Sequence, residues 1–256
     1  MFKPRYISLF VLIGVCSLPL LILILLSFSL NWSYPGILPK TFTLVHWDEF
    51  LFRSNGFAIS ALNSFGIALF VASLATCLGF ISSRWIAYHK RKNLLLTLTY
   101  FPFALSPVIF SLCLKYYFLS AGLAGNIEGV ILAQLIITFP YSTIFFISFW
   151  NNTIKNYQSL AFTLGSKEIY TYRKLILPLA KSFLLTCFFQ CFIISWFEYG
   201  LTTVIGYGKV QTLTIKVFQF IGEANIYYAA LCSCLLILPP VILLWLNKKF
   251  VIYQNR

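Results

Sequence analysis

Acidic side chains are scarce. Six Asp and Glu stand among 256 residues, with two His, and all charged residues together make up only 10% of the sequence. So few carboxylates and imidazoles leave no adequate set for a metal cluster or an acid–base pair, which argues against enzymatic chemistry in this chain. No phosphate-cradling loop of the form Gly-x-x-x-x-Gly-Lys-Ser/Thr occurs either, so the chain carries no P-loop nucleotide site of its own. A water-soluble domain of this size needs more charged surface than 19 Lys and Arg plus six acids supply. The formal net charge of +13 does not indicate nucleic acid, because the basic residues flank apolar runs and build no groove with stacking aromatics.

What fills the chain is hydrocarbon: 60% of it is hydrophobic and Phe alone contributes 27 residues. Apolar runs lie at about 7–30, 57–83, 94–118, 129–150, 179–201 and 229–247, each near or above the ~20 residues a helix needs to cross a bilayer. The expected fold is therefore an all-α, polytopic membrane protein with six transmembrane helices, forming a single domain over 1–256. Lys3 and Arg5 precede the first run as they would in a signal peptide. That run continues to Leu30 without a small-residue cleavage pattern, so a retained helix is expected.

Basic residues set the topology. With the N terminus inside, Lys3, Arg5, Arg84, Lys90, Arg91, Lys92, Lys155, Lys167, Arg173, Lys174, Lys181, Lys248, Lys249 and Arg256 fall on the cytoplasmic side. Lys40, Arg53, Lys115, Lys209 and Lys216 fall outside. Both termini are then cytoplasmic. Residues 31–56, with Trp32, Tyr34, His46, Trp47, Asp48 and Glu49, suit an outer loop with aromatic anchors at the lipid–water boundary. Between the last two runs Gly200, Gly206 and Gly208 interrupt Leu201-Thr-Thr-Val-Ile. This is either a broken or re-entrant element sheltered by protein, or a structured outer loop.

The segment 151–181 between the fourth and fifth runs has more order than a plain connector. Asn156 to Tyr170 has helical spacing with Leu160, Leu164 and Phe162 towards one side, and Gly165 allows either close backbone approach or a left-handed turn between two short helices. Pro178 then opens the fifth membrane helix, where its missing N–H costs little. Arg173, Lys174 and Lys181 either hold this segment's orientation or simply enforce topology.

Read together, Ser159-Leu160-Ala161, then Gly165, then Ile176-Leu177-Pro178 resembles the cytoplasmic signature of the inner-membrane permease subunits of binding-protein-dependent ATP-driven importers. Those proteins carry Glu-Ala-Ala, three residues, Gly and a later Ile/Val-Leu-Pro. Ser159 and Leu160 depart from the first two positions. Helix number, the short N-terminal tail and the loop's place before the penultimate helix extend the likeness over nearly the whole chain. Phe197-Glu198-Tyr199-Gly200 through Gly206, with Gln211-Thr-Leu-Thr, is most similar to the iron(III), thiamine and polyamine systems.

The resemblance implies a type I importer permease fold in a bacterial inner membrane, with 151–181 as the coupling loop. It implies that Ser159, Leu160, Ala161, Leu164, Gly165, Arg173, Lys174 and Pro178 serve contact with the ATPase. Two nucleotide-binding subunits holding ATP and magnesium, a second permease half, identical or homologous, and an extracytoplasmic substrate-binding protein are the implied partners. This chain itself would bind no cofactor. Asn63, Gln134, Gln190 and Glu198 are the polar residues placed to line a passage, since intramembrane polar groups face protein or water rather than lipid. Glu198 either meets a cationic substrate, pairs with Lys209 or sits at headgroup level. Pro102, Pro107 and Pro140 are expected to bend their helices. Cys187 and Cys191 share one helix face and read as small hydrophobes. The competing function from another class is a non-transporting membrane scaffold or assembly protein.

Overall fold

A computed structural model describes residues 4–30, 32, 36, 39, 41–50 and 55–247. Lys3, Tyr34, Lys40, Arg53, Lys248, Lys249 and Arg256, on which the topology and aromatic-anchor readings partly rest, lie outside them. The described residues are helical almost throughout: α1 (Pro4–Ser27), α2 (Val45–Asp48), α3 (Asn55–Ala87), α4 (Lys92–Tyr100), α5 (Pro107–Ser120), α6 (Ile127–Ile147), α7 (Asn152–Thr163), α8 (Glu168–Thr171), α9 (Leu177–Trp196), α10 (Gly200–Gly206), α11 (Leu213–Gly222) and α12 (Ile226–Asn247). Among the described residues four stretches are long and apolar enough to cross a membrane: Gly56–Ala87, Ile127–Ile147, Glu168–Trp196 and Ile226–Leu243. A fifth arises if the bent pair Lys92–Ala104 and Pro107–Ser120 is one span. This is an all-α, polytopic membrane protein.

α3 shows which solvent the helices are built for. Ser60, Ser64, Ala68, Ala72, Ala75 and Ser83 are buried, while Ile59, Leu62, Phe65, Leu69, Phe70, Leu78 and Ile81 are exposed. The buried face is rich in small and hydroxyl-bearing residues, with Ile67, Val71 and Phe80 interspersed, while the exposed face is large hydrocarbon, unlike a helix in water. In a bilayer no hydrophobic force drives helices together, so close packing of small residues and interhelical hydrogen bonds must do it.

The third apolar run is sharply bent where Pro102 and Pro107 were expected to bend it. Its two parts are bent by 96°. The proline positions explain this: Pro102 lies in a 3-10 turn at Phe101–Ala104, and Pro107 starts α5. The residue before a proline is pushed into extended backbone, and Ser106 has φ −61°, ψ 142°. Pro140, by contrast, sits inside an unbroken α6.

The fifth membrane helix differs from expectation at its start. Pro178 does not open it, because the continuous span begins ten residues earlier, at Glu168. A π turn over Tyr172–Ile176 absorbs the proline, with the Leu177 N–H donating five residues back to the Tyr172 carbonyl. Pro178 has no N–H to donate and its ring would crowd the carbonyl of Lys174, so a widened turn relieves both problems.

The chain forms two compact units, one of Met1–Leu62 with Gln211–Pro239 and the other of Asn63–Val210 with Pro240–Arg256. In the first, the 41–50 segment is packed on aromatic rings. His46 stacks on Tyr227 at 5.5 Å and meets Tyr228 edge-on at 5.2 Å, Trp47 stacks on Phe28 at 5.5 Å, and the Tyr228 hydroxyl donates to Glu49. Residues whose composition suggested anchors at a lipid boundary are thus partly engaged with α12.

In the second unit α6 is central. Its buried face, Val130, Ala133, Gln134, Thr138, Ser142 and Phe146, recurs at helical spacing. α10 packs against α5 and α6, with Leu201 and Ile205 beside Phe118 and Ala133. The stretch forms a short helix buried against its neighbours, a geometry that both a re-entrant element and a structured outer loop can have. Gly79 sets the crossing of α3 on α6. A Cβ built there would overlap Ser142 Oγ and lie 2.7 Å from its Cβ. The Ser142 hydroxyl donates to the Ala75 carbonyl at 2.6 Å. Gly79→Ala is expected to lower stability by about 1–3 kcal/mol through overpacking. Thermal unfolding in detergent checks it, and adding Ser142→Gly should recover part of the loss.

Candidate coupling site

The 151–176 segment is held at both ends before it presents anything outward. Trp150, 3% exposed, donates its indole N–H to Ser83 Oγ at 2.9 Å and packs on Phe80 and Phe149. Asn151 then caps α7, its side-chain oxygen accepting the Ile154 N–H at 3.0 Å. α7 turns Ile154 and Gln158, four residues apart, towards the protein.

The end of α7 is a Schellman closure. Gly165 has φ +79°, its N–H donates to the Phe162 carbonyl at 3.0 Å, and the Ser166 N–H reaches the Ala161 carbonyl at 3.0 Å. The sequence left close approach and a left-handed turn as alternatives for Gly165. Within this chain it is the turn, because nothing lies within 4 Å of a Cβ built there. The Thr171 hydroxyl donates to Ser166 Oγ at 2.9 Å, tying the far side of that turn to α8.

α8 is fastened to α3 by charge. Arg84 pairs with Glu168 at 3.1 Å, and its guanidinium lies 5.8 Å from the Tyr172 ring centroid. One turn on, Lys155 of α7 stands 5.8 Å over the Tyr88 ring. Burial pushes the Tyr88 phenol above its ordinary value, with Arg84 pulling it the other way. Sequence reasoning passed over Arg84, Tyr88, Ser83 and Trp150 as parts of this element. The available signal was Glu168, the one acid among residues 151–181.

The outward face is apolar with a cationic border. Leu164 is 81% exposed, Ile169 74%, Tyr170 62% and Leu160 60%. Ser159, its hydroxyl turned back to the Lys155 carbonyl at 3.1 Å, is exposed too, as are Arg173, Lys174 and Pro178, while Ala161 is half-buried. Lys167, Glu168, Ile169, Tyr170, Arg173 and Lys174 line an open cavity of about 770 Å³. A second of about 240 Å³, lined by Arg84, Glu168, Ile169, Tyr172 and Arg173, adjoins it through shared residues. Exposed apolar side chains standing on a rigidly held turn are the makings of a protein contact rather than of a catalytic site.

Of the four intramembrane polar residues, Gln134 and Glu198 are joined through Thr202, whose hydroxyl donates to the Glu198 backbone carbonyl at 3.4 Å. Gln134 is 2% exposed, donates to Thr202 Oγ1 at 2.9 Å and accepts from Ser195, joining α6, α9 and α10. The Gln190 carbonyl accepts from the Tyr141 hydroxyl at 2.9 Å, another link between α6 and α9. A Glu198 carboxylate oxygen accepts the Leu201 N–H at 2.6 Å and so caps α10. Asn63 is half-buried on α3. Cys187 and Cys191 are buried with sulfurs 3.9 Å apart, and among the described residues no group of three His, Cys, Asp or Glu is placed to hold a metal ion.

The fold is that of an all-α polytopic membrane protein with exposed apolar side chains around the α7–α8 turn. Residues 75–251 match the family described as "Binding-protein-dependent transport system inner membrane component", and the chain belongs to it. It is the non-catalytic membrane permease component of an ABC-type transport system. Among curated relatives it is similar to the spermidine/putrescine transport system permease protein PotC of Haemophilus influenzae, 26% identical over 222 residues, covering 86% of this chain and 85% of that protein. It is also similar to a probable sulfate transport system permease protein, cysT, of Helicosporidium sp. subsp. Simulium jonesii, 25% identical over 248 residues, 88% of this chain and 87% of that one.

Proposed function

We propose that this chain is one transmembrane half of an importer in a bacterial inner membrane, and that α7 and α8 form its coupling element. Substrate arrives on an extracytoplasmic binding protein and crosses by alternating access between this chain and a second permease half. Two nucleotide-binding subunits, carrying ATP and magnesium, drive the change. The observation that carries this reading is the exposure of Leu164 and Ile169 on an element clamped to α3 and α6. Motion imposed on such an element is passed to the membrane helices instead of being lost in a loose loop.

Six passages with both termini cytoplasmic follow from counting α1, 24 residues long, and the bent pair with the four long spans. Leu160, Ala161, Leu164 and Gly165 make the close contact with the ATPase subunit, beside Ser159. Arg173 and Lys174 border it, and Pro178 sets the π turn that aims α8. Asn63, Gln190 and Glu198 face the passage as the halves move, and Gln134 with its two hydroxyl partners keeps α6, α9 and α10 together.

The two relatives are named for a polycation and for an anion, so the substrate class does not carry over. Purification of the tagged chain from its native membrane is expected to bring down an ATP-hydrolysing subunit and a permease partner. Vesicles containing that complex and the binding protein should accumulate substrate only with ATP. A stable complex without any ATP-hydrolysing subunit would instead support a scaffold.

A further inference from the structure

The border of the contact element is charged in one sense only. Residues 151–181 hold Lys155, Lys167, Arg173, Lys174 and Lys181 against a single acid, Glu168, and α7 has no acid at all. Glu168 is already paired with Arg84. The 770 Å³ cavity beside Ile169 therefore has Lys167, Arg173 and Lys174 on its wall and one carboxylate neutralised from the α3 side.

Resting on the coupling reading above, we infer that the ATPase subunit meets this face with an apolar groove for Leu164 and Ile169 and a carboxylate side chain that enters the Lys167–Arg173–Lys174 cavity. Closing a protein surface over Leu164 and Ile169 strips water from the neighbouring cations. That desolvation is unfavourable unless an opposite charge replaces the water. An anionic lipid headgroup would satisfy the charges alone. It would leave Leu164, 81% exposed at the tip of the turn, still in water. Ile169 lines both cavities, so apolar knob and cationic wall form one continuous surface, which fits a single protein partner.

Carbodiimide treatment of the intact complex tests this. The reagent activates a carboxylate, a lysine amine within salt-bridge reach displaces the urea, and an amide joins the two chains. Peptide mass spectrometry is expected to find Lys167 or Lys174 joined to an Asp or Glu of the ATPase subunit. Lys167→Gln with Lys174→Gln should weaken ATPase association about tenfold. Lys167→Arg with Lys174→Arg should restore association, since charge is kept, but not the cross-link, since guanidinium does not couple. If the Gln pair leaves association unchanged and no lysine cross-link forms, while Leu164→Asp still abolishes association, the acidic-partner inference falls and the coupling reading stands. Loss of bound anionic phospholipid from the Gln pair, with association unchanged, also overturns it. If Leu164→Asp and the Gln pair are both without effect, the coupling reading itself falls.

Discussion

Leu164→Asp should leave the protein inserted and folded, yet reduce its association with the ATPase subunit about 100-fold, close to 2.7 kcal/mol. Leu164 is 81% exposed and follows the last residue of α7, so in the isolated chain a carboxylate there meets water. Surface substitutions of this kind change stability by roughly 0.5 kcal/mol or less. In the assembled complex the same carboxylate enters an apolar contact without a partner charge, where the penalty is large. Protein amount in the membrane, unfolding temperature in detergent and co-purification of the ATPase subunit separate the two effects. Gly165→Asp is a poorer probe, because φ +79° at that position strains any side chain whether or not a partner is bound.

Trp150→Ala is the change expected to damage the fold most. The indole is 3% exposed, meets Phe149 and Tyr88 edge-on and Phe80 at a tilt, and donates to Ser83 Oγ. Deleting a buried Trp costs about 3–5 kcal/mol, and here it also leaves a buried hydroxyl without its donor. Because Trp150 joins the end of α6 to α3 one residue before the cap of α7, the loss should appear as early thermal unfolding and as weaker ATPase association together. Trp150→Phe keeps one aromatic ring and loses the hydrogen bond with part of the packing, so its effect should be smaller, about 1–2 kcal/mol. Equal losses in both variants would mean that ring packing contributes little at this corner.

The sequence made the membrane class plain because hydrocarbon content and helix length are properties of composition along the chain, requiring no knowledge of contacts. The segment around Gly165 was legible for a similar reason. A glycine after a helical stretch, followed by Ser-Lys-Glu, limits the backbone to few shapes. Pro178 and the Pro102–Pro107 pair were visible as disturbances, but their outcomes were not. Whether a proline opens a helix, widens a turn to π geometry or breaks a run by 96° depends on what the surrounding helices can accept. The brace was hidden for another reason. Arg84 and Glu168 are 84 positions apart, and Ser83 and Trp150 are 67 apart, so nothing local marks either pair. The polar residues Gln134 and Gln190 looked alike in the sequence as candidates for a passage. Gln134 proved to be a buried cross-link, because Thr202 and Ser195 arrive from elements far along the chain.

The most direct measurement places a photo-cross-linking amino acid at position 164 of the full chain in its native membrane, and identifies the adduct after irradiation. Attachment to a nucleotide-binding subunit, abolished when that subunit is absent and altered by trapping ATP in the complex, is the predicted result. An intact complex containing that subunit in which position 164 labels only lipid or water would contradict the coupling role of α7 and α8.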